Sequence, residues 1–292
     1  MKKSINQESQ GSFPDFKTLT VIREGAVLFV KIYAPPMNLN GPELITDLVS
    51  LIQQAEADNE IQVLVFKSAD PDYFISHVDV TRIKENREAA MKLNGEASLG
   101  LFFRYLSTSR LVSVAQIEGR VRGVGSEFIL ACDMRFASRE SAIFGQFEPA
   151  FGVIPGAGAV QHLARLMGRA RALEVMLSAE DFKAELAERY GWINRALPAN
   201  ELDNFVSSLA QRIAKFPASG RAMVKDRVNA IGLASSDDFR RDADLFYEGV
   251  RTREFQERMQ AAMKQGFQTP DAELDLAGML GNLSVETKQD TI

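Results

Sequence analysis

The chain has 292 residues, 46 % apolar and 25 % charged, and a formal net charge of −5. That length supports one large or two modest domains with a substantial core, and the acidic balance argues against nucleic acid as a partner. A single cysteine, Cys132, excludes an intramolecular disulfide and fits a reducing cytoplasm; with only two histidines, His77 and His162, a His/Cys metal cluster is not expected, and no apolar run is long enough for a membrane span.

Residues 1–16 read as a flexible leader whose polar composition lacks the apolar stretch of a secretory signal. Residues 18–23 and 26–33 flank Glu24-Gly25 as two strands of a hairpin, and Pro35-Pro36 ends the second. Leu44, Leu48, Leu51 and Ile52 recur at helical spacing and predict an amphipathic helix over 42–58. The nearly continuous apolar run 61–67 predicts a strand buried on both faces. A loop leads to Phe74-Ile75-Ser76-His77-Val78-Asp79, and helical segments fill most of 80–107. A second buried strand, 111–117, precedes a helix over 125–132 and a strand over 134–137. Pro155-Gly156-Ala157-Gly158 opens a helix that runs to 166, and another covers 170–177. Strand, strand and helix repeat with short connections, which indicates an α/β fold.

From residue 201 the pattern is helical, with helices near 201–215, 219–231, 236–250 and 253–265. Leu245, Phe246, Tyr247 and Val250 give one of them an apolar face for the core or for another subunit. Residues 268–292 read as a polar tail, ordered only around 274–283. The expected division is therefore a leader (1–16), an α/β core (17–200), a helical region (201–267) and a tail (268–292).

The most informative stretch runs from Glu118 to Asp133, where a Gly-rich turn joins a buried strand to an apolar helix. Such a turn aims free backbone N–H groups at one point. It lacks the Gly-Lys-Ser/Thr ending of a phosphate loop, and neither Gly123-x-Gly125 nor Gly156-x-Gly158 completes a dinucleotide fingerprint. Glu127 falls in the first helical turn, and Glu148 follows in Phe144-Gly145-Gln146-Phe147-Glu148. Each carboxylate has a bland reading, the first as a helix-dipole partner and the second as a surface loop residue. Their glycine and apolar flanks suggest partial burial, which raises a carboxylate pKa and suits proton transfer near neutral pH. Backbone donors beside two carboxylates suit chemistry in which negative charge develops on a carbonyl oxygen.

Gly123-Val124-Gly125-Ser126-Glu127 resembles the Gly-Gly-Gly-Cys-Glu segment of the enoyl-CoA hydratase/isomerase (crotonase) superfamily. Ala131-Cys132-Asp133-Met134-Arg135, Phe144 to Glu148, Gly152-Val153-Ile154-Pro155-Gly156-Ala157-Gly158 and the stretch from Tyr190 to Pro198 match later motifs in order and spacing, and Phe74 to Asp79 stands where that family has Phe-x-Ala-Gly-Ala-Asp. The resemblance spans about residues 18–267. It implies a spiral core of strand-strand-helix units, a C-terminal helical trimerisation region, and a homo-oligomer, trimer or hexamer. It also implies an acyl-CoA substrate, with coenzyme A as part of that substrate and no separate cofactor.

By position, the Val78 and Val124 N–H groups would form the oxyanion hole. Glu127 would activate water and Glu148 would deliver the α-proton. Substrate contacts are implied from Ser76, His77, Asp79, Gly123, Phe147 and Gly156. The leading reading is an enoyl-CoA hydratase. The alternatives are a double-bond isomerase or other enolate enzyme, and a catalytically weak acyl-CoA-binding scaffold. The chain departs from the family pattern at Ser76-His77-Val78 and at Val124, where a β-branched residue at positive φ would be strained. His77 carries two readings, a third acid–base or substrate-touching group, or a loop hydrogen-bonder. His162 and Cys132 read as structural.

Overall fold

The structure is a computed structural model and describes residue 13 and residues 15–284. Strands β1 (Leu19–Glu24) and β2 (Val27–Ile32) pair antiparallel around Gly25, as the hairpin pattern predicts. Helix α1 (Pro42–Ala57) buries Leu44, Leu48, Leu51 and Ile52 along one face. Strands β3 (Val63–Ser68) and β4 (Tyr73–Ile75) follow, then a 3-10 turn (Val80–Arg82). The helical stretch beyond it breaks at Gly95 into α2 (Ile83–Asn94) and α3 (Leu99–Thr108).

The centre of the chain runs β5 (Val112–Ile117), β6 (Arg120–Arg122), α4 (Val124–Ala131), β7 (Met134–Ser138) and β8 (Ile143–Gly145). A 3-10 turn (Glu148–Phe151) leads to α5 (Ala159–Met167), α6 (Arg169–Ser178), β9 (Asp181–Lys183), α7 (Ala184–Tyr190) and β10 (Arg195–Leu197).

The strands form two sheets, a six-stranded one in the order β1-β2-β3-β5-β7-β10 and a four-stranded one in the order β4-β6-β8-β9. Each of β3, β5 and β7 lies in the larger sheet, and the strand that follows it lies in the smaller one. This alternation is the strand-strand-helix spiral expected from the sequence. Within the larger sheet β2, β3, β5, β7 and β10 pair in parallel. Alternation of side chains along each strand then sorts residues between two layers. Leu28, Val30, Ile32, Leu64 and Phe66 face the main core, which also holds Ile75, Val121 and Phe144 of the smaller sheet. Val27, Phe29, Val63, Val65 and Val114 face the other way, against Leu202, Val206 and Ala210 of α8 (Ala199–Ala214). Burial on both faces is why these strands read as continuous apolar runs.

The C-terminal helices are α9 (Ala218–Gly232), α10 (Ser236–Gly249), α11 (Arg253–Lys264), α12 (Pro270–Glu273) and α13 (Leu276–Gly281). Residues 274–283 are ordered as expected, and order begins earlier than expected, with α12 and the buried Glu273. Leu276, Leu280 and Leu283 are buried with Phe267, Phe147, Phe151 and Phe255 in one apolar cluster, and Glu273 is fully buried. Of the expected leader, Phe13 and Phe16 pack against the core, and residues 1–12 and 14 lie outside the described residues, as do 285–292.

Candidate active site

Two loops meet at one end of the smaller sheet. The first follows β4. In it Asn40 and Val78 form an isolated parallel bridge, in which the Asn40 N–H donates to the His77 carbonyl at 2.8 Å and the Asp79 N–H donates to the Asn40 carbonyl at 3.2 Å. The Val78 N–H takes no part in that bridge. The second loop follows β6, where Gly123 turns the chain at φ 50° and Val124 becomes the first residue of α4. An N–H in the first turn of a helix has no intrahelical acceptor.

Among the described residues, positive φ outside glycine occurs at Asn38, Ala179 and Gln268 only. Val78 and Val124 therefore escape the strain that their β-branched side chains would suffer, because Gly123 absorbs the left-handed conformation. Gly125 brings the loops together. A Cβ there would fall 2.1 Å from the Ile75 carbonyl oxygen, so only glycine lets the start of α4 press against the end of β4.

Glu127 is 2 % exposed, and its Oε1 accepts the N–H of Ala157 at 2.7 Å and that of Ala159 at 3.1 Å. Glu148 opens the 3-10 turn and accepts the Gln146 side-chain amide at 2.8 Å. Burial pushes the Glu127 carboxyl well above its ordinary range, and the Glu148 charge pushes in the same direction. Burial likewise pushes the Glu148 carboxyl up, to about 7, against the opposing effects of its hydrogen bonds and of His77. Both carboxyls are thus raised out of the ordinary carboxylate range, as proton transfer near neutrality requires.

Both carboxylates line a narrow cavity of about 50 Å³, together with Val78, Val124, His77, Gly123, Phe147 and Gly156. The rest of the lining is largely apolar and comes from Val80, Ile83, Leu99, Phe151, Val153, Phe255, Met259 and Phe267, with Asn86 as a polar exception. Helix α10 contributes Phe246 and Tyr247, so half of the apolar face read from its sequence is turned to this cavity, whereas Leu245 is exposed.

Two residues expected to touch substrate do not line this cavity. Ser76 is fully buried and donates its hydroxyl to the Met37 carbonyl at 2.6 Å, away from the cavity lining. Asp79 caps the following 3-10 turn, accepting the Thr81 N–H at 3.0 Å and the Thr81 hydroxyl at 2.6 Å, and it too is absent from the lining. Local partners, the Met37 carbonyl and the N-terminus of the 3-10 turn, engage these two side chains.

His77 is fully buried. Its Nδ1 lies 2.9 Å from the Val78 carbonyl oxygen, its Nε2 lies 2.8 Å from Glu273 Oε1, and its ring stacks on Phe267 at 4.7 Å. Arg122, 1 % exposed, reaches Glu273 Oε2 at 2.7 Å and pairs bidentately with Asp181. Sequence reasoning missed Glu273, Arg122 and Phe267. Arg122 stands inside the Gly-rich motif, but nothing local marks a buried arginine, and its partners lie far along the chain. His162, in α5, packs edge-on against Phe239 of α10, and burial pushes its imidazole down to about 3. Cys132 is buried in the main core, where its thiol is pushed up to about 12. Among the described residues, no group of three or more His, Cys, Asp or Glu side chains is arranged to hold a metal ion, and no helix is long and apolar enough to cross a membrane.

The sequence profile of the enoyl-CoA hydratase/isomerase family matches residues 23–269. Over 255 residues the chain is 28 % identical to a Dictyostelium discoideum protein named "Probable enoyl-CoA hydratase, mitochondrial", covering 87 % of this chain and 90 % of that protein. It is 28 % identical to the short-chain-enoyl-CoA hydratase of Clostridium acetobutylicum, covering 71 % of this chain and 79 % of that one. Among solved structures, a Streptomyces avermitilis protein assigned to the enoyl-CoA hydratases superposes with a TM-score of 0.92 at 48 % identity, covering 94 % of this chain and all of that one. An enoyl-CoA hydratase from Mycobacterium avium subsp. paratuberculosis superposes with a TM-score of 0.74 at 26 % identity, covering 86 % and 97 % of the two chains.

Proposed function

The chain belongs to the enoyl-CoA hydratase/isomerase family and is an enzyme of that kind, and on that premise we propose that it adds water across the 2,3 double bond of an enoyl-CoA. The observation that carries this reading is that Glu127, Glu148, Val78 and Val124 all line one cavity. In the proposed reaction Glu127 takes a proton from water, and the water oxygen bonds to the β-carbon. The π-electrons move toward the thioester oxygen, where the Val78 and Val124 N–H groups hold the enolate. Glu148 then gives its proton to the α-carbon. One proton enters the pair and one leaves it, so the pair returns to its starting state by proton exchange.

Each oxyanion donor is worth about 3 kcal/mol, and positioned acid–base groups contribute about 10²–10⁴-fold. Coenzyme A enters as part of the substrate, and no step is assigned to a separate cofactor or metal. Isomerisation of a double bond needs one carboxylate that shuttles a proton, so the presence of two in one cavity favours hydration. Helix α9 supports the further reading of a homo-oligomer, a trimer or hexamer. It buries no residue and exposes Met223, Val224, Val228 and Ile231, the last at 85 %. A reducing, cytoplasmic setting fits the single buried thiol.

The test is turnover of crotonyl-CoA and longer enoyl-CoAs by the purified protein, followed by loss of the conjugated thioester absorbance. Hydration by wild type that is lost in both Glu127→Gln and Glu148→Gln supports the assignment. Equal activity in all three proteins overturns it, and loss in Glu148→Gln alone points to isomerisation.

A further inference from the structure

Glu273 joins the two loops that carry the candidate oxyanion donors. Its Oε1 meets His77, the residue before Val78, at 2.8 Å, and its Oε2 meets Arg122, two residues before Val124, at 2.7 Å. All three side chains are at most 1 % exposed. The carboxylate comes from α12, 196 residues from His77 and 151 from Arg122. One rigid, buried group thus spans both halves of the site.

Both ring nitrogens of His77 face oxygen atoms, Nδ1 the Val78 carbonyl at 2.9 Å and Nε2 the Glu273 carboxylate at 2.8 Å. The ring lies parallel to Phe267 at 4.7 Å, and the edge-on Phe147 ring closes another side, so the imidazole is held on every side. Burial pushes the Glu273 carboxyl up, but His77 and Arg122 outweigh it and the net direction is down.

We propose that Glu273 is a positioning residue that clamps the Val78 and Val124 loops to one another by holding His77 on one side and Arg122 on the other. The inference rests on the acyl-CoA reading above for its effect on turnover. The clamp fixes the spacing of the two N–H donors that receive the enolate. That effect is realised in the transition state, so the loss on breaking the clamp falls on kcat more than on KM.

The experiment has two arms. In the first, Glu273→Gln and Glu273→Asp are assayed on crotonyl-CoA. Glu273→Gln is expected to lower kcat by about 10²-fold, the scale of a small misplacement of catalytic groups, with little change in KM. Glu273→Asp, which keeps the charge, is expected to recover part of that loss. Unchanged kcat in Glu273→Gln overturns the clamp. The second arm follows solvent exchange of the His77 imidazole N–H in wild type by ¹⁵N NMR, with His162→Gln assigning the two histidines. A protected N–H supports the Glu273 contact and free exchange overturns it, whether or not Glu273→Gln folds. Wild type that neither binds nor turns over any acyl-CoA overturns the hydratase reading instead, and the exchange arm still decides the Glu273–His77 contact.

Discussion

The backbone N–H of Ala157 reaches the Oε1 of Glu127 at 2.7 Å. That bond ties the Pro155-Gly156-Ala157-Gly158 turn to the first turn of α4, and the Ala159 N–H at 3.1 Å reinforces it. Two backbone donors on one oxygen oppose, without outweighing, the rise that burial and the Glu148 charge impose on Glu127, and they fix where that carboxyl points. This Gly-rich turn, which completes no dinucleotide fingerprint, is the support of a carboxylate.

Removing either carboxylate without changing its shape should separate the two roles. Glu127→Gln and Glu148→Gln are each expected to lower kcat for hydration by about 10²–10⁴-fold. Exchange of the α-proton of a saturated acyl-CoA with deuterated solvent, read by mass spectrometry, should survive in Glu127→Gln and vanish in Glu148→Gln.

Hydration and its reverse both need the pair to hold a single proton, so the rate should follow a bell against pH. The acid limb marks arrival of a second proton and the alkaline limb loss of the last one, at or above the value of about 7 to which burial raises Glu148. A profile that stays flat between pH 5 and about 9 would exclude this assignment.

The same shift makes Glu148 a liability for stability in alkali. Its folded-state pKa lies above the ordinary 4.5, so the folded protein binds more protons than the unfolded chain between 4.5 and about 7, and stability falls as pH rises through that window. Glu148→Gln removes the buried charge. It should be more stable than wild type at alkaline pH, by up to about 3 kcal/mol, and nearly equal to it below the unfolded-state pKa. Thermal unfolding on both sides of the window checks the sign.

Gly125→Ala places a methyl 2.1 Å from the Ile75 oxygen, which must force β4 and α4 apart. A loss of about 1–3 kcal/mol is expected from such overpacking, along with loss of turnover as the two donor loops separate. Gly220→Ala, in α9 with nothing within 4 Å, serves as the control and should be neutral or gain up to about 1 kcal/mol.

The exposed face of α9 should govern assembly. Sedimentation of wild type is expected to give a multiple of the 32.4 kDa chain mass. The double substitution Val224→Asp with Val228→Asp should shift it toward the monomer. A wild type that sediments as a monomer would remove oligomerisation from the reading.

Much of the fold was legible because the relevant physics is local. The apolar runs of β2, β3 and β5 announce strands buried on both faces, and the leucines of α1 announce a one-sided helix. The three-residue strands β4, β6, β8 and β9 were not legible, since three residues are too few to show a period. In the site, Glu127 and Glu148 stood out by their glycine and apolar flanks, Val78 and Val124 were implied by the family resemblance, and all four line one cavity. Ser76 and Asp79 were adjacent to those residues in sequence but point to Met37 and Thr81.

The sequence by itself determined which residues are punctuation and which are chemistry: the glycines at the turns, the paired glutamates, the order of the motifs. Tertiary structure alone decided how those groups are charged and held. Glu273, in a stretch that reads as a polar tail, becomes the buried partner of His77 and Arg122. A carboxylate with no apolar period around it looks solvated until the chain is folded. Its burial is tolerable because the imidazole of His77 and the guanidinium of Arg122, distant in sequence, arrive at the same place.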